Sequence, residues 1–337
     1  MNLIVPIAGR SMRFPGLRPK WMLTHPSGRF MVTEAISGLN LDDFEEIILV
    51  HLKEHEDNYR FKKGLSEELE DNNLLHKTRF IELAKPTNDQ VETVANAINI
   101  GNISGPIFVK DSDNYFEAKV KPGNLVCYYD LNDAGLINPS NKSYVVKDDF
   151  ESITNIIEKD VISPFFCVGG YGFEDAKKFV TTCQQIKDHS DKYLSHIIFQ
   201  NILDNQKYQA LPVKNYLDWG TIEDWEKFKK TFATLFIDMD GVLSEHSSSH
   251  FPPYYGETGA IEENVDILRQ LQATGRAQIV ITTARQEKYR KITEQQLKEF
   301  GIDYTHLLMQ LNHNKRIIIN DYSNSNSYKS CDSINLK

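Results

Sequence analysis

Two short stretches concentrate charge where an apolar run ends. The first is LIVPIAGRSMRFPGLRPKWML at residues 3–23, in which a strand-like run meets a turn-rich loop carrying Arg10, Arg13 and Lys20. Gly9 lets an anion approach the backbone closely. Arg13 and Lys20 can supply charge to a phosphate chain, Arg through a fork of donors and Lys as a point charge. The second stretch is LFIDMDGVLSE at residues 235–245, where Asp238 and Asp240 stand two apart after four apolar residues. Carboxylates so spaced can converge on a metal, one attacking phosphorus while the other handles protons. Two further apolar runs end in carboxylates: VKDSDNYF carries Asp111 and Asp113, and YLDWGT carries Asp218. Carboxylates at strand ends can hold Mg²⁺ against phosphate oxygens. Singly, a basic loop is a solvated surface and a strand-end Asp a turn cap. In combination they point to phosphate chemistry.

These residues need a scaffold, and the hydrophobic pattern supplies one. LIVPIA, EEIILVHL (45–52), RFIEL (79–83) and GPIFVKD (105–111) are short apolar runs suited to buried parallel strands. FMVTEAISGL, HEDNYRFKKGLSEELE and VETVANAINI, between them, carry helical spacing. This βαβ rhythm implies an α/β fold with a mostly parallel sheet covered by helices on both faces. After residue 120, NLVCYYD, SYVVKDDFESITNII and FFCVGGYGF read as more antiparallel pieces, followed by a helix at YLSHIIFQNILDN. A fresh apolar strand starts at TLFIDMDG. The helix face of Ile261, Val265, Leu268 and Leu271, the strand AQIVITTAR, a further helix and a last strand RIIIND repeat the α/β pattern. Two domains are expected, residues 1–230 and 231–337, each a mostly parallel, Rossmann-like sheet flanked by helices.

The chain of 337 residues has a formal net charge of −9. That balance argues against a surface built to neutralise nucleic acid. Cys127, Cys167, Cys183 and Cys331 form no CxxC pair, so free thiols are expected and a zinc site is not. No apolar run approaches the roughly 20 residues that span a bilayer. MNLIVPIAGR reads as a first strand rather than a signal peptide, so a cytoplasmic protein without membrane or nucleic-acid partners is expected. The sequence is compatible with a homo-oligomer.

The stretch AGRSMRFPGLRPK resembles the signature of the nucleoside-triphosphate transferases that make nucleotide-sugars, a G-x-G-x-R-[FL] followed by P-K. The resemblance covers residues 1 to about 228 and extends, in family order, to DSDN, EKDVISPFFCVGGYGF and DWGT. It implies a GT-A-like fold in which Arg13 and Lys20 bind the triphosphate and help expel pyrophosphate. Asp113 and Asp218 would be the Mg²⁺ ligands, and Glu158 and Lys159 would meet the acceptor, Lys159 at its phosphate. Gly9, Ser11 and Gly170 are assigned to substrate, with Ser11 standing where the family has its second loop glycine. Gln90, Glu92 and Thr93, in PTNDQVETV, fall where the family reads the base. Cytidine and uridine nucleotides both fit a short transferase domain of this kind.

D-x-D-G-[VT]-[LI] after an apolar strand is similar to the first motif of the haloacid-dehalogenase-type phosphatases. The likeness runs from residue 233 to about 325, with IVITTAR as the second motif and KRIIIND as the third and fourth. It implies a minimally capped phosphatase domain. Asp238 would be the nucleophile, Asp240 the acid/base and Thr283 the holder of the phosphoryl group. Lys315 or Arg316 would stabilise its charge, Arg285 and Arg316 would contact substrate, and Asp238, Asp240 and Asp321 would hold a second Mg²⁺. Asp321 is preceded by Asn320 and followed by YSNSN, so the second acidic residue of that motif is missing. His246, His250 and the aromatics of the loop SEHSSSHFPPYYGETG, which at most forms a small flap, are candidate substrate contacts, with an ordinary loop as the favoured alternative.

The expectation is therefore a bifunctional enzyme. One half transfers a nucleotidyl group from a nucleoside triphosphate to a sugar phosphate or similar phosphorylated small molecule. The other hydrolyses a phosphomonoester. By analogy of pathway, surface or capsule polysaccharide precursors are the expected setting. The alternative is an active nucleotidyltransferase, acting with CTP on a polyol or other non-sugar phosphate, joined to a non-catalytic binding module.

Overall fold

A computed structural model describes residues 1–9, 14, 16–135, 138–186 and 192–319. The chain divides into two compact units, Met1–Trp225 and Glu226–Lys337.

In the first unit the apolar runs become strands β1 (Asn2–Pro6), β2 (Glu46–Leu52), β3 (Thr78–Leu83) and β4 (Ile107–Lys110). All four are parallel, in the order β3-β2-β1-β4. Side chains alternate between the faces of a strand, so a sheet covered on both sides divides each strand between two cores. Ile4 and Ile48 join Val94, Ala97 and Val109 on one face, while Leu3, Val5, Ile47 and Leu49 join Val32, Leu65 and Phe108 on the other. Helices α1 (Met31–Ser37), α2 (Lys53–Tyr59), α3 (Phe61–Asp71) and α4 (Gln90–Gly101) form the crossovers. HEDNYRFKKGLSEELE is not one helix: Arg60 turns left-handed (φ 48°) and separates α2 from α3.

The change of rhythm after residue 120 corresponds to a change of direction. Strands β5 (Asn114–Glu117), β6 (Leu125–Asp130), β7 (Ser143–Lys147), β8 (Ile153–Glu158) and β9 (Phe165–Phe173) follow. β9 runs antiparallel to β4 and to β6, and β7 pairs antiparallel with both β8 and β9. Helices α5 (Ala176–Gln185) and α6 (Leu194–Leu203) precede β10 (Gln209–Pro212), which lies parallel to β6, and β11 (Lys214–Asp218). The sheet is therefore mixed, parallel through β3-β2-β1-β4 and largely antiparallel beyond. β11 leaves it to form a two-stranded antiparallel ribbon with β5, Asp218 opposite Asn114.

The chain passes between the units within α7 (Ile222–Lys229). The second unit holds β12 (Ala233–Asp238), α8 (Glu262–Ala273), β13 (Ala277–Thr282), α9 (Arg290–Glu299) and β14 (His306–Leu308). Its parallel sheet runs β12-β13-β14 over a small core of Met239, Leu243, Val265, Leu268, Ile281 and Leu297. The expected strand RIIIND does not form over its described part. Residues 316–319 pair with no strand among the described residues, and Ile317 and Ile319 are 72% and 92% exposed. An apolar run becomes a strand only where a partner edge takes its backbone groups. Asn320 and Asp321 lie outside the described residues.

Three imidazoles are buried in the first unit among the described residues, His25, His51 and His55. His25 packs against Trp219 and Trp225, and His55 lies near Trp21. Burial lowers both to a pKa of about 4, helped by Arg29 at His25 and by His51 at His55. Each is neutral when folded and takes a proton near 6.5 when unfolded, so stability is full above about pH 6.5 and is lost as the pH falls toward 4. Each contributes roughly 2–3 kcal/mol of that loss. Urea midpoints measured from pH 7 to 4.5 should fall, and His55→Leu should flatten part of the slope between pH 6.5 and 5. A flat wild-type profile would show that neither ring is held neutral.

Candidate functional sites

The first charged cluster is assembled by the β5–β11 ribbon. β4 ends at Lys110, and the next turn carries Asp111 and Asp113. The ribbon register sets Asp218 against Asn114, and Trp219 N donates to Asp113 O at 2.9 Å. Asp113 and Asp218, more than a hundred residues apart in sequence, thus stand at adjacent backbone positions. Lys20, on a single 3-10 turn (Lys20–Met22) entered through Pro19, forms an ion pair with Asp113. Lys142 does the same for Asp218, at 2.5 Å, and donates to Tyr216 Oη at 2.8 Å. Both pairs are mostly withdrawn from solvent, with exposures of 18% and 14% for the first and 15% and 17% for the second. Gly9 ends the loop entry, and no atom of the described residues lies within 4 Å of where its Cβ would sit. Arg13, Ser11 and Arg10 lie outside the described residues.

The turn that presents Asp113 is pinned from below. Lys110 is fully buried, and its Nζ donates to Asp111 O (2.8 Å), Asn114 O (2.9 Å) and Asn114 Oδ1 (2.6 Å), over the Phe116 ring at 4.6 Å. Burial lowers its pKa to about 8, against the pull of Asp111 and Asp113. Asp111 is raised to about 6, first by burial and then by the charge of Asp113. It sits where only glycine leaves room: a Cβ on Gly169 (φ +77°) would lie 2.3 Å from Asp111 Oδ2. Gly170 faces inward too, because a Cβ there would meet Phe116 at 2.7 Å and Cys127 Sγ at 3.0 Å. Its role in the structure is close packing inside β9.

The candidates for base reading divide. Gln90 Nε2 donates to Asp111 Oδ1 at 2.5 Å, which ties it to the carboxylate turn. Glu92 instead accepts from Asn88 N and Nδ2, both at 2.8 Å, and Thr93, buried, bonds Thr87 and Asp89 O. Glu92 and Thr93 shape the start of α4. At the other end of the site, Glu158 accepts from Ser143 Oγ and, at 2.8 Å, from Ser195 Oγ. Lys159 adopts a left-handed backbone (φ 57°) that turns its ammonium to Tyr193 Oη at 2.5 Å. Its N–H donates to Lys142 O at 2.9 Å, so the Glu158–Lys159 turn abuts the Lys142–Asp218 pair. Lys110 and Lys142 were not singled out in the sequence. A lysine inside the apolar run PIFVKD was a signal for the first, and nothing in the spacing marked the second.

In the second unit Asp238 closes β12 opposite Thr282 of β13, and its Oδ1 accepts from Met239 N at 3.1 Å. Arg316 reaches both its oxygens, at 3.3 and 3.2 Å. Burial pushes the Asp238 carboxyl above its ordinary pKa, and Arg316 opposes the shift. Asp240 is held differently. Arg285, 1% exposed, donates to it from Nε (3.2 and 3.0 Å) and Nη2 (2.7 Å), and is itself fixed by Thr293 (3.1 Å) and Gln296 (2.9 Å). The Tyr255 ring lies 4.7 Å from the guanidinium. Arg285 is thus a buried clamp on Asp240 rather than a side chain open to a ligand. Thr283 Oγ1 donates to Asp240 Oδ2 at 3.3 Å, while Lys315 is exposed and Asp321 lies outside the described residues. The His246 ring lies against Gly241, where a Cβ would come within 2.3 Å of it, and the His250 N–H donates to Ser248 Oγ at 3.0 Å. Ser244 and Tyr255 join the cluster from the loop expected to form at most a small flap, whose aromatics were candidate substrate contacts.

Neither cluster is an all-protein metal cage: among the described residues no group of three or more His, Cys, Asp or Glu side chains could hold a metal ion. Mg²⁺ binds through one or two carboxylates with substrate phosphates completing its shell, and Asp113 with Asp218 fits that donor set.

No protein-family model and no curated protein matches the chain. Its fold, however, is shared with solved structures. One is the nucleoside-diphosphate-sugar pyrophosphorylase from Vibrio cholerae RC9, at 17% identity and TM-score 0.56, covering 67% of this chain and 98% of that one. Another is the inositol-1-phosphate CTP transferase from T. maritima, at 16% identity and TM-score 0.54, covering 66% and 90%. A third is a UDP-glucose pyrophosphorylase complexed with UDP-glucose, at 17% identity and TM-score 0.53, covering 68% and 98%. At such identities the likeness is one of fold. Its extent is two thirds of the chain, the proportion that Met1–Trp225 makes up. No helix among the described residues is long and apolar enough to cross a membrane.

Proposed function

We propose that the first unit is a nucleotidyltransferase that joins a nucleoside triphosphate to a phosphorylated small molecule and releases pyrophosphate. The observation that carries this is the pairing of β5 with β11, which brings Asp113 and Asp218 together beside Lys20. The activities named for the neighbours, on nucleoside-diphosphate-sugars, on UDP-glucose and with inositol-1-phosphate and CTP, support a sugar or polyol phosphate as acceptor. An acceptor phosphate oxygen attacks the α-phosphorus in line, and the bond to the bridging oxygen breaks, releasing pyrophosphate. The nucleophile is already an anion, so no general base is needed, and positioning with charge neutralisation supplies most of the rate. Lys20 and Arg13 meet the triphosphate, Glu158 and Lys159 orient the acceptor, and Gln90, backed by Asp111, faces the nucleotide. Mg²⁺ held by Asp113 and Asp218 would offset charge on the phosphates. Pyrophosphate release from four nucleoside triphosphates against a panel of sugar and polyol phosphates tests this. Silence from every pair would refute it.

The second unit, on the same reading, is a phosphatase with Asp238 as nucleophile and Asp240 as acid/base, served by Thr283, Arg316 or Lys315, and Asp321. The boundary near residue 231 separates the two activities. A specific observation favours the alternative of a binding module for this unit: both oxygens of Asp240 are engaged by the buried Arg285. Mg²⁺-dependent turnover of an aryl phosphate by the full chain, in the presence of an inactive first site, decides between them.

A further inference from the structure

Both carboxylates assigned to the divalent cation already carry an ammonium of the protein's own. Lys20 meets the triphosphate in the reading above, whereas Lys142 has no part in it. Its side chain is 15% exposed, and its Nζ rests on Asp218 Oδ2 (2.5 Å) and Tyr216 Oη (2.8 Å), with the Tyr216 ring centre 5.4 Å away. An ammonium so far out of water is costly to leave without an anion beside it. A divalent cation taking the same Asp218 oxygen would remove that anion.

The backbone indicates where a replacement would come from. Ser143, the next residue, donates through Oγ to Glu158, and Lys159 N donates to Lys142 O at 2.9 Å. Lys142 therefore stands at the seam between the metal-side carboxylate and the turn assigned to the acceptor. We propose that Lys142 is a resident counter-ion of Asp218 that a divalent cation displaces, and that its ammonium then binds the phosphomonoester dianion of the acceptor. Acceptor capture is thereby tied to metal occupancy. Two lysines, Lys142 and Lys159, receive the acceptor phosphate from two sides, and an acceptor without a phosphate offers neither a partner. This rests on the nucleotidyltransferase reading for the identity of the acceptor, but the displacement itself does not.

The test uses the full chain without nucleotide. Mn²⁺ binding, followed by electron paramagnetic resonance with Asp218→Asn marking the signal of this site, should tighten at least about fivefold in Lys142→Met, because a competing cation is gone. Lys142→Arg, which keeps an ion pair, should stay near wild type and exclude a folding defect. Inorganic phosphate, titrated calorimetrically with Mg²⁺ present, should bind at least about tenfold more weakly to Lys142→Met. Lys159→Met should lose phosphate while leaving Mn²⁺ affinity unchanged. Unchanged or weaker Mn²⁺ binding by Lys142→Met, or no Mn²⁺ binding at this site in any form, overturns the counter-ion role. Phosphate binding retained by Lys142→Met, or absent from the wild type, overturns the acceptor role. A protein that shows both shifts yet releases no pyrophosphate would instead refute the nucleotidyltransferase reading.

Discussion

Asp113→Ala should lower pyrophosphate release by about a thousandfold while leaving aryl phosphate hydrolysis within about twofold of wild type. The first number follows from removing one of the two carboxylates that, on the proposed function, hold Mg²⁺ against the phosphates, since metal-assisted charge stabilisation is worth several kcal/mol and each 1.4 kcal/mol is about tenfold. The substitution also takes one carboxylate from Lys20, whose side chain is 18% exposed. Lys20→Ala should therefore reduce turnover comparably, but through the triphosphate, so that its KM for nucleotide rises where that of Asp113→Ala need not. The turn is held in part by Lys110 on the carbonyls of Asp111 and Asn114, which the substitution leaves in place. Circular dichroism and an unchanged melting temperature would show that the fold is intact. Pyrophosphate release retained within tenfold in both variants would remove Asp113 and Lys20 from the chemistry.

The reciprocal result is expected of Asp238→Asn. An amide cannot form the acyl phosphate that a carboxylate nucleophile forms, so phosphatase turnover should fall by roughly 10⁴ or more, the scale on which loss of a covalent nucleophile acts. Nucleotidyl transfer should be unaffected, because each unit has its own core. The pH profile offers a finer reading. Burial raises the Asp238 carboxyl and Arg316 pulls it back, so the acid limb of the wild-type profile reports the balance of the two. Replacing Arg316 with Met should move that limb to higher pH, because the carboxylate loses the cation that favours its charged form. A limb that stays in place would mean that a different group is titrating. Loss of both activities from Asp238→Asn, with folding intact, would contradict two independent sites.

How much of this was legible beforehand depends on the kind of signal. β1, β2 and β4 announced themselves because strands covered on both faces must be largely apolar, and LIVP, IILV and IFV are, whereas β3, TRFIEL, is half polar. The ribbon that unites the first site did not. Its strands, NYFE and KNYLD, are short and half polar, and their pairing depends on a register shift between Lys214 and Leu217. Asp113 and Asp218 could be picked out as strand-end carboxylates, but their adjacency is a property of that pairing. Lys142 is a lone lysine after a turn, with no periodicity to mark it. Arg285 shows the converse: its presence in ITTAR suggested a ligand contact, yet the helix bearing Thr293 and Gln296 folds over it and makes it a support for Asp240. The run RIIIND misled because hydrophobicity reports a wish for burial and not the presence of an edge to pair with.

The three glycines of VGGYG in β9 extend the same lesson to variation. A Cβ would strike Asp111 Oδ2 at residue 169, the Phe116 ring at 170 and Gly123 O at 172, each within 2.3 to 2.7 Å. A saturation library of this chain should therefore show a narrow band of intolerance along one strand that contributes no reactive group. Drift there is blocked by bulk, and at residue 169 by the left-handed backbone as well, so descendants that change substrate would keep VGGYG and diversify the lysines around it.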